Sequence, residues 1–371
     1  MFYFDHSATT PLNPEVMELM NQTQKDFYGN PSSVHSAGRK AKSIVEESRF
    51  KIATAINASP DQIFFTSGGT ESNNQVLWSM LKKPNPHVIS NTIEHPAVIK
   101  VLKHLKPLGL DYSLVSVDSN GLVNLDELDE CIIPKTQLVS VMMSNNEIGT
   151  IQPIKSIVKL ISGKNILMHT DAVQCLGKVS IDIKELDVDF LSLSAHKFYG
   201  PKGIGVLYVK NKKTIESLLI GGSQESGLRG GTENVASIAG AGLAAEICCK
   251  KLEENSQKLK MFQTYFIDEL KSYFPDFKLN SKSEKTLPGL LNISFPGFRS
   301  DILLAKLDRL NIAVSSGSAC GSGSPKPSKV LSEIGVEDSL NLSSLRISFG
   351  STNTIQEVEF LVKSLSQILN N

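Results

Sequence analysis

Several short segments carry side chains that could do chemistry together, and most fall where a predicted strand gives way to a loop. Lys197 follows Ser194 and His196 in SLSAHKFYGPKGIG, between expected strands at 188–194 and 204–209. A lysine there can act as an amine nucleophile when its surroundings disfavour the ammonium form. HTDAVQ places Asp171 and Gln174 at the end of an apolar run, and an acid in that place can pair with a protonated ring nitrogen. TSGGTES at 66–72 joins a strand to a helix, with Gly69 and Thr70 at the junction. Free N–H groups and a dipole worth roughly half a charge favour a phosphate at such a turn. It is not a Walker loop, since no Gly-Lys-Ser/Thr follows. His95, at another strand end, can stack on a planar ring.

Cys320 is a second chemical centre. It sits in SSGSACGSGS, whereas a packing cysteine normally lies among apolar side chains. A thiol on a flexible polar loop suits a nucleophile that swings between a buried site and an external acceptor. Its thiolate is the attacking form, so a base or positive charge is needed nearby, and His95 is a candidate. Cys131, Cys175, Cys248 and Cys249 lack such a setting and read as packing residues. Taken singly, the other features have ordinary readings: a solvated lysine, a capping aspartate, a plain turn, a loop histidine. Their order within one run of strands is what specifies a site.

The elements that must position these residues follow from periodicity. Asn13-Pro14 opens a helix that Gly29 is expected to close, and a second helix carries Ala41, Ile44, Val45, Ile52 and Ile56 on one face. Strands are expected at 63–66, 88–90, 112–117, 138–143 and 166–169, with helices near 70–81, after Pro96, near 125–132 and at 154–161. Such alternation implies an α/β protein with a mostly parallel sheet, helices on both faces and ligands beyond the carboxyl ends of the strands. A long helical stretch from 234 to 273, bent or broken near Asn255, leads to a smaller α+β segment. There strands are expected at 290–295 and 345–349 and helices at 301–310 and 354–369. We expect a large domain at 13–255 and a small one from 1–12 and 256–371, the latter carrying the Cys320 loop.

The chain has 371 residues, enough for two cores. Lys and Arg number 38, as do Asp and Glu, and this balance argues against a nucleic-acid partner. MFYFDHSATT lacks the basic start of a signal peptide. The longest apolar stretch, at 238–249, is interrupted by Glu246 and too short to cross a bilayer. Five cysteines without paired spacing suit reduced thiols. The expectation is a soluble cytoplasmic protein that does not engage membranes.

The chain as a whole resembles the cysteine desulfurases, NifS/IscS-like enzymes of the class V aminotransferase family that depend on pyridoxal 5'-phosphate (PLP). The matching segments are FDHSATTPL, YGNPSSVHSAG, TSGGTESNN, SNNEIGTIQPI, HTDAVQ, SLSAHKFYGPKGIG, GLRGGTEN and SSGSAC. The resemblance implies a PLP-dependent aminotransferase-like fold of type I, with Lys197 linked to the cofactor and Asp171 on its pyridine nitrogen. Gln174 would bond the ring hydroxyl and His95 stack on the ring. Gly69, Thr70, Ser194 and His196 would hold the phosphate, joined by Thr232 from the other subunit of a homodimer. Asn146 and Arg346 would hold the substrate carboxylate. The implied reaction takes sulfur from L-cysteine, releases L-alanine and leaves a persulfide on Cys320. That sulfur then passes to an acceptor such as an iron–sulfur scaffold protein, for cluster assembly. No intrinsic metal site is implied, though Cys320 could be a transient iron–sulfur ligand. A selenocysteine lyase or an aminotransferase of the same fold would also keep Lys197 and Asp171, but the aminotransferase has no need of Cys320. A non-enzymatic scaffold is the remaining alternative, and the intact Lys197, Asp171 and Cys320 speak against it.

Overall fold

A computed structural model describes residues 1–281, 285–316 and 326–370. Its strands are β1 (Phe2–Tyr3), β2 (Ile63–Thr66), β3 (His87–Asn91), β4 (Asp111–Val115), β5 (Thr136–Ser140), β6 (Leu167–Asp171), β7 (Phe190–Ser194), β8 (Gly205–Val209), β9 (Lys278–Leu279), β10 (Leu290–Ser294), β11 (Ile312–Ala313) and β12 (Ser344–Ser348). Seven of them form one sheet in the order β2-β8-β7-β6-β5-β3-β4. Only β8 runs against its neighbours, so the other six point their carboxyl ends to one edge.

Residue alternation explains why this sheet is covered twice. Phe65, Ile89, Val139 and Leu191 enter one core, with helices Ser36–Ala55 and Val235–Lys250. Their neighbours Phe64, Val88, Leu138 and Phe190 enter another on the opposite face, with helices Gly69–Met80 and Pro96–Leu105. Strands buried on both faces read as continuous apolar runs, which is how they appear in the sequence.

A separate core joins β10 and β12 to helices Leu252–Tyr273 and Ile355–Leu369. Phe4 packs into it, and β1 pairs in parallel with β11. The N-terminal segment then passes to the larger sheet, where Thr10 N–H donates to the His196 carbonyl at 2.9 Å.

Two helix boundaries differ from expectation. The first helix ends at Asp26, not at Gly29, and Phe27 N–H closes it on Thr23 O. Gly29 serves a close approach instead: a Cβ there would lie 2.5 Å from the Ala37 backbone. The long C-terminal helical stretch breaks at Lys251 rather than near Asn255. Residues before the break, such as Ala245 and Cys248, pack in the large sheet's core, while Leu259 and Phe262 pack in the small one. One straight helix would have to face both cores along a single stripe, so its axis changes between them.

Candidate active site

The carboxyl ends of β2, β3, β5, β6 and β7 surround a cavity of about 210 Å³. Gly69, Thr70, His95, Asn146, Asp171, Gln174, Ser194, His196 and Lys197 all line it. Each stands there for a local reason. Gly69 opens a helix whose N-cap, Gly68, offers no capping side chain, so the first-turn N–H groups are left for a ligand. A Cβ on Gly69 would sit 2.5 Å from Val173 Cγ2, which leaves glycine the residue that fits. Asp171 ends β6, and Lys197 closes a short 3-10 turn directly after β7.

Hydrogen bonds hold the polar groups in orientation. Asp171 Oδ2 accepts from Asn73 Nδ2 at 2.6 Å, and its Oδ1 accepts from Val173 N–H at 3.0 Å. His95 Nδ1 accepts from Ala97 N–H at 3.1 Å, which leaves the proton of the neutral ring on Nε2. Burial lowers the pKa of this ring, as does Lys197, while Asp171 opposes them. His196 is pushed down to about 4, by burial first and then by Lys197 and Lys202.

Lys197 is the most perturbed amine. Its Nζ donates to the backbone carbonyls of Ser7 at 2.5 Å and Ala8 at 2.7 Å. Burial lowers its pKa to about 7, helped by Lys178 and Arg346 and opposed by Asp5 and Asp171. Near neutral pH much of this amine is therefore unprotonated and nucleophilic.

Arg346 comes from β12 and is not among the residues lining the cavity, though it reaches Asn146, which is. Its Nη2 donates to Asp5 Oδ1 at 2.8 Å and its Nη1 to the Asn146 carbonyl at 3.2 Å, while Nε is buried without a partner among the described residues. A buried guanidinium with a spare donor suits an anion. Thr232 does not line this cavity: it is exposed, beside Arg229 and Gly231 in another depression. Cys320 lies outside the described residues. Cys131, Cys175, Cys248 and Cys249 are free thiols, and Cys175 is buried against Ser144 Oγ at 3.1 Å. Among the described residues no cluster of His, Cys, Asp or Glu could hold a metal, and no helix is long and apolar enough to cross a membrane.

Sequence reasoning missed several contributors. Asn73 stood in TSGGTESNN, one turn from Gly69, and that spacing could have placed it against the same wall. Glu94 is buried, with Oε1 accepting from Asn91 Nδ2 at 2.6 Å and Met142 N–H at 2.5 Å. Burial raises its pKa well above the usual range. It ties the turn bearing His95 to the wall after β5. The Ser7 and Ala8 carbonyls left no signal in residue type, because they belong to the backbone.

The aminotransferase class-V family matches residues 2–361. The cysteine desulfurase IscS of Dictyoglomus turgidum is 42% identical over 370 residues, 99% of this chain and 94% of that protein. A solved NifS-like protein superposes with a TM-score of 0.93 at 37% identity, covering 99% of each chain. A structure of SspA in complex with cysteine gives 0.84 at 35% identity, over 95% of this chain and 99% of that one. With its cavity built at the strand ends of this fold and such similarity along its length, the chain belongs to the class V aminotransferase family, among the cysteine desulfurases.

Proposed function

We propose that this cysteine desulfurase uses PLP to take sulfur from L-cysteine, releases L-alanine and carries the sulfur on Cys320. The observation that carries the reading is Lys197, an amine poised near neutrality between an acid at a strand end and an uncapped helix N-terminus. The residues present fit PLP. The helix start at Gly69 offers N–H groups to a phosphate, and Gly69 leaves no room for a larger residue. Asp171 offers a carboxylate to a ring nitrogen, and Lys197 offers the amine that would carry the cofactor. Thr70, Ser194 and His196 would complete the phosphate site, Thr232 would reach it from a second copy, Gln174 would meet the ring hydroxyl and His95 the ring face.

Bound PLP supplies an electron sink for charge that develops at the substrate Cα. Arg346 and Asn146 bind the substrate carboxylate, with the unpartnered Nε as the donor held in reserve. Asp171 keeps a proton on the ring nitrogen. The Lys197 amine would move the Cα proton, and its lowered pKa suits both accepting and returning it. His95, whose pKa burial lowers and whose Nδ1 already accepts from Ala97 N–H, is the base for the thiols. The Cys320 thiolate attacks the substrate sulfur. As the S–S bond forms the S–Cβ bond breaks, its electron pair stays with Cβ, and Cβ takes a proton to give L-alanine.

The chain acts as a cytoplasmic homodimer, hands its sulfur to an iron–sulfur scaffold protein, and is built as a large domain of 13–255 with a small domain of 1–12 and 256–371. Mass spectrometry after treatment with cysteine tests the sulfur route: one added sulfur is expected on the Cys320 peptide. Cys320→Ser is expected to stay yellow yet release no sulfide, and sulfide release at the normal rate would falsify the persulfide step.

A further inference from the structure

Lys178 takes no part in the reaction just described, yet it lies within reach of its machinery. Its Nζ donates to Gln174 Oε1 at 3.1 Å. Gln174 Nε2 donates in turn to the Ser7 carbonyl at 2.9 Å, the oxygen that also accepts from Lys197. We propose that Lys178 is a positioning residue for Lys197: it fixes the amide of Gln174 with the donor end toward Ser7, and it sets a positive charge beside the catalytic amine.

The hydrogen bonds define the direction of this relay. Burial lowers the pKa of Lys178 to about 8, so near neutrality it is still mostly an ammonium, which can only donate; Gln174 then presents its oxygen to Lys178 and its NH₂ to Ser7 and the cavity. Without that anchor the amide is free to turn. The same chain of hydrogen bonds, through Gln174 and the Ser7 carbonyl, holds the Lys178 charge close to Lys197. Lys178 forms no ion pair with a carboxylate among the described residues. The groups that face it are the Cys175 and Cys248 thiols, Arg346, the His6 ring and Lys197. Lys197 meets Asp5 from the N-terminal segment, Asp171 from β6, Arg346 from β12 and His95 from the turn after β3, with His196 on its own turn. Lys178 and Arg346 thus oppose a proton on Lys197, and Asp5 and Asp171 favour it. Removing Lys178 tilts that balance toward the ammonium form.

The inference rests on the reading of Lys197 as the lysine that carries PLP. Its test is the pH dependence of PLP uptake by the full-length apoprotein, followed by the growth of the bound chromophore, because only a neutral amine forms the link. The wild-type midpoint is expected near 7. In Lys178→Gln it should rise by about one unit, which slows uptake about fivefold at neutral pH. Lys178→Arg keeps the charge and should hold the wild-type midpoint. If Lys178→Gln does not fold, Lys178→Met carries the same expectation. An unchanged midpoint in the uncharged variant, beside normal wild-type uptake, overturns the inference alone. Chromophore formed by Lys197→Ala as readily as by wild type overturns the functional reading and the inference with it.

Discussion

Two buried arginines in this molecule face opposite circumstances. Arg49 gives Nη1 and Nη2 to the two oxygens of Glu225 at 2.8 and 2.7 Å, and Nη1 also to the Ile63 carbonyl at 2.7 Å. Its Nε reaches Glu46 at 3.1 Å, and Glu225 accepts further from Phe65 N–H at 2.7 Å. Every donor is answered and the charge is cancelled on the spot. Arg346 has one oxygen of Asp5, one backbone carbonyl and a buried Nε with no partner among the described residues. Arg346 and Lys178 face Asp5 and Asp171 around Lys197, two against two, and the buried carboxyl of Glu147 also faces Arg346. A closed pair of this kind holds a helix to a sheet edge; a buried guanidinium with a spare donor suits an anion.

The contrast is sharpened by removing each arginine. Arg49→Met leaves Glu225 buried without its cation and should cost about 3–5 kcal/mol of stability, measured by urea unfolding of the apoprotein. Little loss, or a loss seen only in the KM for cysteine, would break the distinction between the two regions. Arg346→Gln should act on the substrate instead. Losing one charge-assisted bond to a carboxylate is worth about 1.5–3 kcal/mol, roughly 10- to 150-fold in kcat/KM, and most of it should appear in KM. A fall in kcat with KM unchanged would place Arg346 elsewhere in the reaction.

The smallest effect concerns the strain of the site itself. Lys197 binds its proton less readily when folded, with a pKa near 7 against 10.5 for the free side chain. Between those values the unfolded chain holds more protons, so the stability of the apoprotein contributed by this group rises with pH through that window. Lys197→Met removes the burden. It should raise the apoprotein melting temperature by a few degrees at neutral pH, and the gain should shrink toward pH 10. A gain independent of pH would mean the buried amine is not its source.

Much of this was readable before any coordinates, for physical reasons. Alternating apolar strands and amphipathic helices fix a doubly covered sheet, and such a sheet collects its loops at one edge. Gly69, Asp171 and Lys197 could be brought together on that ground alone. The segment at 2–10 was harder, because its contributions are the Ser7 and Ala8 carbonyls, and any residue supplies a carbonyl. Lys178 resembles the many surface lysines until the turn after β6 folds it inward. Gly29 and Lys251 show a similar limit: a glycine can serve close approach rather than a helix end, and a helix can break to satisfy two cores.

Lys197, and not the neighbouring Lys178, is the amine proposed to take the cofactor. Borohydride reduction of the PLP-loaded protein, followed by peptide mapping, decides between them directly. The pyridoxyl group is expected on Lys197 alone; its appearance on Lys178, or on no lysine at all, would overturn the assignment of Lys197.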